Sequence, residues 1–322
     1  MSSRILLESG TNELEILEFT LSGQSYGLNV AKVCEIMPYE STVVTAMPKL
    51  YQSILGMFVL RESTLPLIDL RIHLDLKLDS DRSQEVVMVC EFNDMTHGFL
   101  VDSVVQIHRC SWNDISPLSV YIVQYQPSIT SSLSIDNKNI LLIDLEYVLS
   151  DIYPNLQVSA DTIVDEIDDS DDKIQQRASK RVVFADDSPI VRASIKSLAE
   201  AKGYSDIKYF DNGQDAFNYI KKISDTAQKE NRELSDFIDI VVTDIEMPKM
   251  DGLTMCKNIK EDPDISNLPV VIFSSLVNDS MIERCKSVRA DDYASKANLQ
   301  ELINLLDREL LQTDDDKSFA IK

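Results

Sequence analysis

No two of the five cysteines, Cys34, Cys90, Cys110, Cys256 and Cys285, form a C-x-x-C pair, and none has a histidine at zinc-ligand spacing. That argues against a disulfide framework and a structural zinc site, and the thiols are expected to be reduced and mostly buried. Histidine is scarce: His73, His97 and His108 sit far apart, and a lone histidine reads as an exposed or core residue. Basic charge is also short, since 31 Lys and Arg against 54 Asp and Glu leave a formal net charge of -23, which repels nucleic-acid phosphate. Long apolar runs are missing. Arg4 is followed only by Ile5, Leu6 and Leu7 before Glu8, too short for a signal-peptide core, and nothing approaches the length of a membrane span. The expectation is a cytoplasmic chain with no direct membrane insertion and no nucleic-acid partner.

What is present divides in two, as a length of 322 residues suggests. Between Asp161 and Asp172 seven of twelve residues are acidic and none is basic, too polar to repay the entropy of ordering, so the stretch reads as a solvated linker. Before it, short alternating runs are broken by turn residues: Glu15–Leu21, then Ser22 and Gly23, then Ser25–Val30 predict a hairpin. Further runs at 43–46, 54–60, 64–70, 85–92, 96–105, 129–134 and 139–145, with Asn93 and Asp94 as one turn, predict an all-β domain with few helices. After the linker, apolar runs at 181–185, 207–210, 238–243, 270–274 and 292–295 alternate with helical spacing at 189–202, 214–223, 253–260, 279–286 and 299–311. Such alternation predicts a parallel sheet covered on both faces, with its ligand site beyond the strands' C-terminal ends.

Those ends carry chemistry. Asp186 and Asp187 follow the first strand, Asp244 the third, Ser274 closes the fourth, and Lys296 follows the fifth. Carboxylates about 4 Å apart repel by about 4 kcal/mol per pair at an effective dielectric near 20, so such a cluster calls for a cation. An all-oxygen donor set suits Mg2+, and beside it Asp244 can act as a nucleophile toward phosphorus. A single aspartate at a strand end is more often a helix cap or surface charge. The acidic pair, the lone aspartate, the hydroxyl and the lysine, in order on successive strands, argue otherwise.

The stretches DDSPIVR, DIEMPKMDG, VVIFSS and YASK resemble the signatures of the response-regulator receiver family, over Arg181 to about Leu311. The resemblance implies a flavodoxin-like α/β fold with a five-stranded parallel sheet, phosphorylation on Asp244, and Mg2+ held by Asp186, Asp187, Asp244 and the Glu246 backbone carbonyl. It also implies that Ser274, Tyr293 and Lys296 sense the phosphate. The family usually follows its lysine with proline, often cis. Here Ala297 follows Lys296, so this link is expected to be trans or strained. Glu246 and Leu276 occupy the family's variable positions.

The first half shows no nucleophile paired with a base, no metal-ligand cluster and no phosphate-cradling loop. The order GLNVAKVCEI, ILGMFVLR and LPLIDLR resembles the CheW family of chemotaxis coupling proteins from about Leu14 to Val148. That implies two small β-barrels binding chemoreceptors on one surface and the histidine kinase CheA on another, with Gly56 and Arg61 in the partner-contacting segment. The bland alternative is a turn glycine and a solvated arginine. Glu62 stands where that family commonly has glycine. A CheW-like domain joined to a receiver is the arrangement of the CheV family, whose opening ILLESGTNELEILEF resembles.

The expected layout is an N-terminal segment 1–13, a scaffold 14–155, an acidic linker 156–179, a receiver 180–312 and a tail 313–322. The expected role is a coupling protein of chemoreceptor arrays, regulated by phosphorylation at Asp244, that is a phosphoacceptor and not an enzyme. A phosphate sink for CheA is the alternative. Hydrolases with aspartyl-phosphate intermediates need D-x-D at the first strand, which Asp186, Asp187 and Pro189 do not provide. A DNA-binding regulator has the wrong charge and too little chain after the last helix.

Overall fold

A computed structural model describes residues 10–48, 51–77, 84–92, 95–153, 171–275 and 279–311. The chain divides into two compact units, Glu13–Gln157, and Val158–Lys322 together with Met1–Asn12. Each has its own apolar clusters.

In the first unit β1 (Glu13–Leu21) and β2 (Gln24–Asn29) pair antiparallel about Ser22 and Gly23, as the hairpin signal predicts. The strands β3 (Val33–Pro38), β4 (Ile54–Leu60), β5 (Ser63–Asp69), β6 (Val86–Phe92) and β7 (Met95–Val101) follow. Next come β8 (Ser103–Ser111), β9 (Ile115–Pro117), β10 (Ile129–Ile135) and β11 (Lys138–Ile143). One sheet has the order β8-β1-β2-β11-β10-β9 and the other β3-β6-β7-β5-β4. Both curl. In the first, the edge strands β8 and β9 are joined by a single 3-10 turn, Trp112–Asp114, which draws the two edges together. In the second, Thr45, beyond β3, exchanges hydrogen bonds of 2.8 and 2.9 Å with Met57 on the opposite edge strand.

The sequence reading departs from this unit in several places, β9 among them, which no predicted run covers. The run expected at 43–46 contributes only the Thr45 bridge, while β3, not anticipated, forms one edge. The run expected at 96–105 is two strands, β7 and β8, with Asp102 between them. Two helices close the core, α1 (Leu70–His73) and α3 (Leu145–Ile152), whereas α2 (Val120–Tyr125) exposes Tyr121, Ile122 and Tyr125. Asp144 caps α3 by accepting from the Glu146 and Tyr147 amides, and Leu145, Val148, Leu149 and Ile152 are buried.

A cation lies inside this unit. Arg71, 1 % exposed, donates to both oxygens of Asp69 at 2.9 and 2.7 Å, to Glu85 Oε1 at 2.6 Å and to Asp102 Oδ1 at 2.6 Å. Asp102 also accepts from the Ser22 amide at 2.5 Å, which fixes the corner where β7 turns into β8.

The second unit begins with α4 (Asp171–Ala178), then alternates β12 (Arg181–Ala185), α5 (Pro189–Ala201), β13 (Asp206–Phe210), α6 (Gly213–Glu230) and β14 (Ile240–Thr243). It continues with α7 (Gly252–Glu261), β15 (Val270–Ser274), α8 (Asp279–Ser287), β16 (Asp292–Ser295) and α9 (Leu299–Leu311). The strand order is β13-β12-β14-β15-β16, all parallel, with one apolar cluster on each face. The order reverses between β12 and β14, so a crevice opens beyond their C-terminal ends.

The reading that residues 156–179 are linker is corrected for 171–178, which form α4 with Arg177 buried. The Asn93 and Asp94 turn, Leu276, the acidic run through Ser170, the opening residues 1–9 and the tail 313–322 lie outside the described residues.

Candidate acidic site of the second unit

Two chain crossings build the crevice. After β12 the Asp186 amide donates to Phe210 O at 3.1 Å, and the Ser188 amide donates back to Asp186 Oδ1 at 2.8 Å. Ser188 caps α5 with Pro189 in its first turn, so the chain leaves the strand directly into a helix. Arg192, one turn along, donates to the Asp186 carbonyl at 2.5 Å. After β14 the Asp244 amide donates to Ala185 O at 2.8 Å, bringing the third carboxylate beside the first two. Its Oδ1 accepts from the Ile245 amide at 2.7 Å. The loop then folds back so closely that a Cβ on Gly252 would lie 1.9 Å from Asp244 O, which is why only glycine fits there.

Carboxylate oxygens of Asp186, Asp187 and Asp244 lie within 4.8 Å of one another, with Asp187 exposed and the other two buried. Lys296 Nζ stands 2.8 Å from Asp186 Oδ2 and 2.9 Å from Asp244 Oδ2. Burial, opposed by Lys296 and reinforced by Asp186 and Glu246, raises the Asp244 carboxyl to about 7. One ammonium thus lies against two carboxyl groups of this cluster of three. Asp186 Oδ2 is buried and accepts no hydrogen bond, with the Lys296 charge beside it out of hydrogen-bond alignment. An unsatisfied anionic oxygen within an all-oxygen cluster is the donor chemistry that a hard divalent cation fits.

Ser274 is buried at the end of β15, and its carbonyl accepts from the Lys296 amide at 3.1 Å. Ala297 donates to Ser295 Oγ at 3.2 Å, and no peptide bond among the described residues is cis. Tyr293 is half-buried on β16, packed against the cluster that includes Val241 and Ile272. Glu246 is half-buried two residues beyond Asp244. The structure therefore gathers Asp186, Asp187, Asp244 and Lys296 by distance, with Ser274 joined through the lysine backbone.

Gly56 and Arg61 belong to the other unit. A Cβ on Gly56 would fall 2.4 Å from the Thr45 carbonyl, so the bridge that closes the second sheet already accounts for this glycine. Arg61 is exposed, 3.0 Å from Glu35 Oε2, and itself adopts φ 54 in the turn before Glu62.

The sequence reading missed Arg192 and a buried acid in the first unit. Glu18, 1 % exposed, accepts from Ser25 Oγ at 2.8 Å, stands 2.7 Å from His108 Nε2 and pairs with Lys138. Period-two spacing held the signal, since Leu14, Ile16 and Glu18 alternate onto one face of β1.

The sequence matches the CheW-like domain model over residues 15–153 and the response regulator receiver domain model over residues 182–307. Chemotaxis protein CheV3 of Helicobacter pylori is 31% identical over 313 residues, covering 92% of this chain and 96% of that one. Chemotaxis protein CheV2 of the same organism is 27% identical, covering 93% and 95%. A probable chemotaxis protein CheW of Rhizobium etli is 32% identical over 146 residues, covering 42% of this chain and 88% of that one. Among solved structures, the scaffolding protein TtCheW of Thermoanaerobacter tengcongensis aligns at 22% identity over 42% of this chain and 91% of that one, with a TM-score of 0.38. With two matched domains in this order and similarity along nearly the whole length of a relative, the chain belongs to the CheV family of chemotaxis proteins.

Proposed function

We propose that the receiver unit takes a phosphoryl group from the histidine kinase CheA onto Asp244, and that this gates how the CheW-like unit couples chemoreceptors to the kinase. The observation that supports this most is the Lys296 ammonium shared between Asp186 and Asp244 at 2.8 and 2.9 Å, beside three clustered carboxylates. Asp186, Asp187, Asp244 and the Glu246 carbonyl would hold Mg2+, which when bound neutralises charge on the transferring phosphoryl oxygens. Asp244 supplies the nucleophilic oxygen: an O–P bond forms as the P–N bond of the phosphohistidine breaks, and the imidazole leaves with the electron pair. With Oδ1 held by the Ile245 amide, Oδ2 on the Lys296 side is the oxygen that attacks. Lys296 then pairs with the phosphoryl group, the Ser274 hydroxyl donates to it, and Tyr293 follows that shift.

In this reading the unit promotes its own phosphorylation and later hydrolysis, and turns over no small substrate. The coupling half would hold receptor and kinase through a segment that includes Gly56 and Arg61, at receptor arrays on the cytoplasmic side. No helix among the described residues is long and apolar enough to cross a membrane.

Mixing the chain with radiolabelled phospho-CheA and Mg2+ tests the reading. Label is expected on the wild-type chain and not on Asp244→Asn; label retained by Asp244→Asn would sink the assignment. If Asp244→Ala left receptor-coupled kinase activity unchanged, the receiver would be a phosphate sink and not a gate.

A further inference from the structure

Linker composition does not account for α4. Arg177, one residue from its end, is 2 % exposed. Its Nε and Nη2 donate to the two carboxylate oxygens of Asp307 on α9, at 2.8 and 2.6 Å. Its Nη1 donates to the carbonyl of Lys202, the C-cap of α5, at 2.8 Å. The guanidinium also lies 5.8 Å from the Tyr204 ring centroid. Asp307 is further held by the Tyr204 hydroxyl at 2.9 Å and by Lys173 at 3.0 Å. Ile174 seats on Gly203, where a Cβ would come within 2.9 Å of its Cγ2. A solvated tether needs none of these contacts, and a guanidinium is kept away from water only where its donors are met.

The two helices that Arg177 joins both begin beside the acidic crevice. The first, α5, starts at Pro189, three residues after Asp186, and α9 starts at Leu299, three residues after Lys296. Both pack on the same face of the sheet, in one cluster containing Ile195, Leu198, Leu302 and Leu306. Their near ends are held together by the Lys296–Asp186 contact, and their far ends by Arg177. A phosphoryl group on Asp244 offers Lys296 new anionic oxygens and draws it from Asp186. Packed helices move as stiff rods, and a bidentate fork tolerates little change in the spacing of its two anchors.

We propose that α4 is a strap that reports the state of Asp244 to the tether. Arg177 fastens it across α5 and α9 in the unphosphorylated chain, and phosphorylation loosens it. Residues 171–178 then join the tether, adding up to about 27 Å of extended chain between the units. This inference rests on phosphorylation at Asp244.

Hydrogen exchange read by mass spectrometry on the full chain, with and without Mg2+ and the phosphoryl mimic beryllofluoride, tests it. The amides of 173–178 are expected to exchange at least about fivefold faster with beryllofluoride. In Arg177→Gln and Asp307→Asn they are expected to be fast in both states. Slower or unchanged exchange in the wild-type segment overturns the strap, whether or not the variants fold. Loading is read separately, as protection of residues 244–252 and 270–275. Protection there with a silent α4 sinks the strap alone, whereas no protection removes the phosphorylation reading and the strap with it.

Discussion

Single side chains carry the sharpest stability differences. Gly252 has no room for even a methyl group, because that atom would lie 1.9 Å from Asp244 O. Gly252→Ala is expected to cost the receiver unit about 3 kcal/mol and to slow phosphotransfer, read from urea unfolding and label uptake. Arg71 pairs with Asp69, Glu85 and Asp102, two of which have side chains at most 2% exposed. Arg71→Met strands those charges, and a loss of about 3–5 kcal/mol from the CheW-like unit is expected by the same measurement. For Glu18 the sign runs through acid. Burial pushes its carboxyl up, but hydrogen bonds from Lys138, His108 and Ser25 win and bring it from 4.5 down to about 2. Because the folded value is the lower one, this contribution is whole above pH 4.5 and disappears as pH falls toward 2. Glu18→Gln is expected to flatten the acid limb of urea midpoint against pH; an unchanged slope would count against it.

Among the elements, those bounded by a chemical change were legible and those bounded by geometry were not. The strands β12, β15 and β16 and the helix α9 lie where their apolar runs or periodicity begin and end. In contrast, β7 and β8 read as one run because the corner between them is made by Asp102 binding Ser22 and Arg71, with no glycine or proline to mark it. The helix α6 extends past Ile223 to Glu230 because Ser224 and Ala227 continue a buried face too narrow to show as apolar periodicity. The crevice was legible because each of its charged groups follows a strand end. Averaged acidity concealed α4, since one arginine among many acids reveals nothing of its burial. A receiver fragment starting at Lys180 is therefore expected to unfold about 2 kcal/mol more easily than one starting at Asp171, by calorimetry or urea, because Asp307 loses its guanidinium.

At the scale of the molecule, a net charge of -23 on 322 residues makes divalent cations the natural stabiliser, but among the described residues only one cluster brings three carboxylates within 4.8 Å of one another. Two heat-absorption peaks are expected, of which Mg2+ raises only the receiver's. At a hundredfold excess over its dissociation constant the gain is about 2.7 kcal/mol, and Asp187→Asn diminishes it. Separate response is expected because the apolar clusters do not mix: one set draws on residues 14–153 and the other on 182–310. Heredity inherits that partition. A lesion that ruins the receiver leaves its neighbour intact, so such an allele yields an unregulated coupler and not a missing protein. In a swimming assay, bacteria carrying it should be distinguishable from those lacking the whole gene.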